Sequence, residues 1–283
     1  MTVLEGIQKS ADFLAKKGVE SARLQAELLL AHQLKLPRMK LYLNFDRVLT
    51  TAETDGLREL IKRRSLHEPL QHITGSTSFW GHEIAVNRHA LVPRPETELL
   101  AELGWQFLST ICPQPATGLD FGTGTGCIAI ALAAKCPHAT ITALDVSPGA
   151  LALAGENATQ NQVAARIEFL LGDGFAALNP SRPFDLIISN PPYIATAEIA
   201  TLEPEVRDFD PRAALDGGAD GLDFYRRLAR EAGSFLKPHG RIMLEFGDGQ
   251  ADAIRALFEA EKWIVEAVKE DYSQRARILV ARR

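Results

Sequence analysis

Between residues 117 and 263, short runs of strand character alternate with longer stretches of helical spacing, and few folds accept that rhythm. The strand-like runs cover residues 117–121, 140–145, 167–171, 184–189 and 241–246, followed by 264–268 and 277–281. Strands separated by helical segments are the pattern of βαβ units, which predicts a parallel sheet with helices packed on it. The last two runs break the alternation. Only the eight residues 269–276 separate them, too few for the dozen or more of a parallel crossover, so the final strand is expected antiparallel to its neighbour.

The first 70 residues read differently. Val3, Leu4, Ile7, Ala11, Phe13 and Leu14 recur at helical spacing, Lys17-Gly18 closes that helix, and residues 21–34 repeat the pattern with Leu24, Ala26, Leu28, Leu29 and Ala31. A third stretch follows Pro37, and residues 51–66 predict a fourth helix. Residues 72–86, rich in Gly, Ser, Thr and aromatics, predict a short β-hairpin bridging two domains. The expected organisation is a helical domain over residues 1–70, a hairpin linker over 71–88 and an α/β domain over 89–283. Charge divides along the same line, +3 over residues 1–88 and −8 over the remainder. The positive balance fits either a solvated helical surface or a recognition surface.

Composition limits the function classes. With 46% hydrophobic and 24% charged residues the chain is neither disordered nor a disulfide-framed miniprotein. A net charge of −5 argues against stable nucleic-acid binding, which needs an excess of bases to neutralise phosphates. The three cysteines, Cys112, Cys127 and Cys136, form no CxxC pair, so neither a zinc ribbon nor a disulfide scaffold is expected, and no metal-ligand cluster stands out. No apolar run approaches the ~18 residues of a membrane-spanning helix, and Glu5, Lys9 and Asp12 interrupt the place of a signal peptide. A cytoplasmic location without membrane attachment is expected.

The first strand ends in LDFGTGTGCIAIALA, with Gly122, Gly124 and Gly126 interleaved by Thr123 and Thr125 at the opening of a helix. Glycines there let a nucleotide-type ligand approach the backbone. The dinucleotide spacing GxGxxG would need glycine at 127, where the chain has Cys127, and the GxGxG present follows Asp120. Asp145 ends the next strand 19 residues after Gly126, where a doubly wound fold offers a carboxylate to two ribose hydroxyls. Asp173 follows the third strand and, with Phe175, could meet an adenine. Each acid taken alone has an alternative as a helix cap or turn residue, a weaker one for Asp145, which falls on a predicted strand end at the right interval, than for Asp173.

The fourth strand runs into Asn190-Pro191-Pro192-Tyr193. Proline cannot extend a central ladder, so the strand stops and delivers a rigid turn to the carboxyl edge of the sheet, where ligands bind. The prolines preset the backbone, Asn190 supplies an amide and Tyr193 an aromatic face, a set suited to a planar NH2 group. A turn that merely ends a strand would explain the prolines but not the Asn and Tyr beside them.

Asp120-x-Gly122-x-Gly124-x-Gly126, Asp145 and Asn190-Pro191-Pro192-Tyr193 resemble, in this order and spacing, the class I S-adenosylmethionine-dependent methyltransferases that act on planar amino groups. The stretches EPLQHITGSTSFWG (68–81), LVPRPETE (91–98), EPEVRDFDPRAALDGGADGLDFYRRL (203–228), LEFGDGQ (244–250) and the terminal DYSQRARILVARR resemble the HemK/PrmC family of peptide chain release factor glutamine methyltransferases along nearly the whole chain. The resemblance implies a class I, seven-stranded, Rossmann-like α/β methyltransferase domain behind a small N-terminal helical domain and a β-hairpin linker. It implies methylation of the amide nitrogen of the glutamine in the Gly-Gly-Gln loop of class I peptide chain release factors. S-adenosyl-L-methionine would be the donor and S-adenosyl-L-homocysteine the product. One departure is Gly174, where the family commonly carries a bulky residue before the Phe.

Residue by residue, the resemblance implies that Gly122, Thr123, Gly124, Thr125 and Gly126 lie beside the methionine part of the cofactor, Asp145 at the ribose, and Asp173 with Phe175 at the adenine. Asn190, which would also touch the cofactor, and the Pro191 carbonyl would hold the substrate NH2, Pro192 would fix the turn and Tyr193 would pack on the amide plane. Arg94 and Glu96 either line the glutamine entrance or belong to helix N-terminal chemistry around Pro95. Two rivals remain at this stage: an adenine-N6 or guanine-N2 methyltransferase acting on nucleic acid, and a catalytically silent cofactor-binding scaffold.

Overall fold

The structure is a computed structural model that describes residues 1–111 and 113–283; Cys112 lies outside the described residues. In chain order come α1 (Val3–Lys16), α2 (Ala22–Leu34), α3 (Arg38–Leu41), α4 (Thr51–Ser65), α5 (Leu70–Thr74), the strands β1 (Ser76–Phe79) and β2 (His82–Ala85), and α6 (Pro95–Ser109). Then follow β3 (Ala116–Phe121), α7 (Cys127–Lys135), β4 (Ala139–Asp145), α8 (Pro148–Gln160), β5 (Ile167–Leu171) and β6 (Phe184–Ser189). The chain closes with α9 (Pro204–Arg207), α10 (Asp223–Glu231), β7 (Leu236–Glu245), α11 (Ala251–Ala260), β8 (Ile264–Glu270) and β9 (Ala276–Arg282).

The chain divides into two compact units, Met1–Ser76 with Glu203–Phe209, and Thr77–Leu202 with Asp210–Arg283. In the first, α1 and α4 both begin with a capping box, Thr2 with Glu5 and Thr50 with Glu53, which satisfies N–H groups a helix start would leave unpaired. Gly18, at φ 76°, lets the chain leave α1 as expected. The core gathers Val3, Ile7, Leu14, Leu29, Leu30, Leu41, Leu57 and Ile61. Arg64 is buried, with its guanidinium on the Gln25 side chain, the Glu68 carbonyl (3.1 Å) and the Glu205 carboxylate (2.9 Å). Through that last contact the distant segment 203–209 joins this unit, which nothing in its own composition announces.

In the second unit the seven-stranded sheet has the order β5-β4-β3-β6-β7-β9-β8. The first five of these strands pair in parallel, and β9 runs antiparallel to both β7 and β8, as the short connection requires. Apolar residues alternate between two cores: Leu186 and Ile188 of β6 face one with Leu100 and Leu108 of α6, while Ile187 faces the other with Tyr225, Leu228, Ile254 and Phe258. A strand buried on both faces carries the unbroken apolar run Leu186-Ile187-Ile188 for this reason.

Two local expectations are corrected. Residues 72–74 belong to α5, not to the hairpin, because Gly75 at φ 86° closes a short helix there. The hairpin itself turns at Trp80-Gly81, both at positive φ, and is pinned by Trp80 to Glu98 and by Ala85 to Asn157. The strand expected at 241–246 begins at Leu236, since the chain pairs Phe184 with Leu236, loops out through Pro238 and a left-handed His239, and resumes at Leu186 with Arg241. Cys127 and Cys136 are buried free thiols. No helix among the described residues is long and apolar enough to cross a membrane.

Candidate active site

Chain order reverses at β3: β4 and β5 extend the sheet to one side, β6 and β7 to the other. The carboxyl ends of β3 and β6 therefore bound a topological switch point, the place where such sheets bind ligands. A cleft of about 230 Å³ lies there, walled by the turns that follow β3, β4, β5 and β6.

Gly122, Thr123, Gly124 and Thr125 line the cleft. The Gly122 and Thr123 N–H groups both donate to the Leu144 carbonyl, at 2.8 and 2.9 Å, which curls the loop over the end of β4. Gly122 sits at φ 75°, and a Cβ there would meet no protein atom within 4 Å, so backbone at this point is open to the cleft. Gly126 does a different job. It does not line the cleft, and at φ 80° a Cβ would fall 2.9 Å from the Ala154 Cβ, so this glycine permits close packing of α7 against α8. Below the loop, Asp120 is fully buried; its Oδ2 accepts from the Thr123 hydroxyl (2.6 Å) and the Ala129 N–H (3.1 Å), while Oδ1 has no partner. Burial pushes this carboxyl up to about 7 against the lowering effect of those two bonds.

Asp145 ends β4 in the cleft wall, as expected, but its carboxylate also holds protein backbone: Oδ2 accepts from Gly124 N–H (2.8 Å) and Oδ1 from Ser147 N–H (2.9 Å). Val146, 62% exposed, lines the cleft beside it and was not singled out from sequence, although an apolar residue directly after a strand-end acid is a usable signal. Asp173 lines the cleft with its carboxylate on Arg227 (2.6 Å). Gly174 makes room for that arginine, since a Cβ at 174 would lie 2.6 Å from the guanidinium carbon. The family departure at 174 thus accompanies an Arg227–Asp173 pair. Phe175 was expected against an adenine and is not in the cleft: its ring is buried, stacked on Phe235 and tilted against Phe121, each at 5.0 Å. The turn of helix that begins at Gly174 carries its ring into the core, while Phe121 and Phe224 reach the wall.

Asn190 and Pro192 line the cleft at the end of β6, and the Asn190 Nδ2 donates to the Thr97 hydroxyl at 3.1 Å. Pro191 and Tyr193 lie behind the wall. Tyr193 carries its ring over Gly247, where a Cβ would come within 2.9 Å, and its carbonyl accepts from Gln250 (2.9 Å). Burial raises its phenol, and the Glu245 charge adds to that. Gly217 and Gly221 allow the 215–221 loop to pack on this turn, because side chains there would strike the Pro192 and Tyr193 carbonyls. Arg94 lines the cleft and pairs with buried Asp210 at 2.6 Å. Glu96 stays in the first turn of α6 behind Pro95, outside the cleft wall. Two side chains beside Asn190 were missed from sequence, Thr97 and Glu245, 3% and 2% exposed; they come from α6 and β7, and no local pattern relates them.

Residues 5–75 match the family described as PrmC N-terminal domain, and residues 102–203 the family described as methyltransferase small domain. The release factor glutamine methyltransferase of Geobacter sulfurreducens is 45% identical over 91% of this chain and 88% of its own length. That of Cereibacter sphaeroides is 42% identical over 100% of this chain and 99% of its own. Among solved structures, a methyltransferase from Pyrococcus furiosus superposes with a TM-score of 0.51 at 20% identity, covering 72% of this chain and 90% of that one, which speaks for the fold. With a switch-point cleft, a glycine loop, a strand-end acid and an Asn-Pro-Pro-Tyr turn in one place, and relatives of this closeness over the full length, the chain belongs to the release factor glutamine methyltransferase family and is an enzyme of that kind.

Proposed function

We propose that the cleft binds S-adenosylmethionine and that the enzyme methylates the side-chain amide nitrogen, N5, of the glutamine in the Gly-Gly-Gln loop of class I peptide chain release factors. The observation that carries this reading is the Asn190 carboxamide, held in the cleft wall with its NH2 edge on Thr97 and its oxygen left to meet a donor. The residues present suit the cofactor. Gly122 leaves backbone open to a ligand, the buried Asp120 Oδ1 lacks the partner that an ammonium group or a water would supply, and Asp145 keeps lone pairs for ribose hydroxyls beyond its two backbone donors. Val146 and the Asp173–Arg227 pair offer an apolar and a polar contact for the base.

A carboxamide nitrogen is a poor nucleophile because its lone pair is delocalised into the carbonyl, so the protein's task is orientation. When bound, S-adenosylmethionine supplies a methyl group made electrophilic by its sulfonium. Asn190 Oδ1 accepts one N–H of the substrate amide, which orients the nitrogen, and the other N–H proton leaves to water once the methyl has been transferred. Pro191 and Pro192 keep that turn rigid, and Tyr193, half-buried behind it, holds its shape more than it faces the cleft. A nucleic-acid substrate would call for a basic face, which the −8 balance of residues 89–283 opposes.

The test is mass spectrometry of a purified class I release factor after incubation with enzyme and S-adenosylmethionine. One added methyl on the Gly-Gly-Gln glutamine is expected, and Asn190→Ala should bind cofactor normally while turnover falls about 10²-fold. A methyl located elsewhere, or a normal rate for Asn190→Ala, contradicts the reading.

A further inference from the structure

We infer that Gln250 is a positioning residue for methyl transfer, a role that rests on the glutamine-methylation reading of the site. Its side chain clamps the far end of the Asn190–Tyr193 turn and so sets where the Asn190 carboxamide stands. Gln250 lies at the N-cap of α11, where a side chain would ordinarily serve the helix, yet it makes no cap bond. It reaches back instead. Its Nε2 donates to the Tyr193 carbonyl at 2.9 Å and its Oε1 accepts from the Gly247 N–H at 2.9 Å. Both partners are backbone groups, a carbonyl that only accepts and an N–H that only donates, so the Gln250 carboxamide has one working orientation and no flipped alternative.

The surrounding backbone is shaped for this bond. A Cβ at Gly221 would strike the Tyr193 carbonyl and fall 2.8 Å from the Gln250 Nε2, and one at Gly247 would fall 3.0 Å from the Gln250 Oε1 and 2.9 Å from the Tyr193 ring. Gly221, buried and at φ 77°, thus lays backbone against the pair where water would otherwise compete for the carbonyl.

Stiffness carries the anchor to the chemistry. Gln250 does not line the cleft, so it acts through the turn. The near end of the turn is held by β6, whose Ser189 pairs with Leu244 and donates its hydroxyl to the Phe121 carbonyl. Past the far end, the Ile194 N–H donates to Leu215 at 3.0 Å and its carbonyl accepts from Gly217 at 2.8 Å. Between these supports the rings of Pro191 and Pro192 hold φ, so residues 190–193 move as a rigid arm and a shift at the Tyr193 carbonyl reaches Asn190. The Asn190–Thr97 bond at 3.1 Å orients the carboxamide, and the arm decides its depth in the cleft. Misplacing a reacting group by ~1 Å can cost ~10²-fold in rate, so a loosened arm costs turnover more than binding.

The experiment measures kcat and KM for an intact class I release factor, Kd for S-adenosylhomocysteine by calorimetry, and Tm. The proteins are wild type, Gln250→Met, Gln250→Glu, Asn190→Ala and the Asn190→Ala/Gln250→Met pair. Gln250→Met keeps the length of the side chain and loses both bonds, while Gln250→Glu keeps an acceptor for Gly247 and sets a carboxylate against the Tyr193 carbonyl. Each should lower kcat about tenfold with KM and Kd within about twofold of wild type, whereas a residue that only supports stability would lower Tm and leave kcat unchanged below the melt. The pair should be no slower than Asn190→Ala alone, within about twofold, because Gln250 acts through Asn190. A folded Gln250→Met with kcat within about twofold of wild type, a loss confined to KM or Kd, or multiplicative losses in the pair overturns the inference. Should Gln250→Met not fold, the same kcat comparison on Gln250→Glu decides it. A wild-type enzyme that leaves the glutamine unmethylated removes instead the reading on which this role rests.

Discussion

Asp145→Ala removes a carboxylate with two tasks, and their sizes can be separated. Within the protein it strips the Gly124 and Ser147 N–H groups of charge-assisted partners at 2.8 and 2.9 Å. Both N–H groups lie near water, which can replace the lost acceptor, so the stability lost should be about 1 kcal/mol, below the usual range for charge-assisted bonds, or roughly 2–4 °C in Tm for a unit of this size. Toward the ligand it removes a proposed pair of ribose hydrogen bonds, together about 3 kcal/mol, or about 10²-fold in Kd. At cofactor set to 100 times the wild-type Kd, the wild-type protein gains about 2.7 kcal/mol from binding and the variant about 0.4 kcal/mol. Thermal melts with and without S-adenosylmethionine should therefore show a wild-type shift of roughly 5–11 °C collapsing to about 1–2 °C, and calorimetric titration reports Kd directly. A folded Asp145→Ala whose affinity is unchanged would refute the assignment, and an unaltered melt without cofactor would refute the loop-holding role.

Gly126→Ala should destabilise the protein by about 2–4 kcal/mol, since it adds the strain of alanine at φ 80° to a 2.9 Å contact with Ala154; a denaturant midpoint equal to wild type would show that α8 yields instead. Glu245→Gln carries a pH-dependent stability signature. A carboxyl raised from 4.5 unfolded to about 7 folded takes up a proton on folding between those values, so its contribution favours the fold at low pH and is lost as pH rises through about 7. The variant should accordingly gain on wild type by up to about 3 kcal/mol at pH 8 compared with pH 5, as read from urea midpoints, and a pH-independent difference would contradict the burial argument.

Much of this enzyme is legible in its sequence because the signals are local. Strand and helix periodicity, the glycine loop after β3, the acid that ends β4 and the prolines after β6 each state their conformation within a few residues, and the short gap before β9 settles its direction. Connectivity then places the loop, the acid and the turn at one sheet edge, since parallel strands share their carboxyl ends. Tertiary packing decided the rest. Phe175 and Phe121 are both aromatic residues near strand ends, yet which of them faces the cleft depends on how the chain turns after β5 and what fills the core behind it. Gly126 reads like its two neighbours in sequence but answers to Ala154 on another helix, and Gly174 answers to Arg227, 53 residues later. Segment 203–209 follows Arg64 into the helical unit, and Thr97, Asn190 and Glu245 meet from three elements spread over most of the catalytic unit. Those partnerships rest on burial and hydrogen-bond satisfaction between residues far apart in the chain, which no local pattern records.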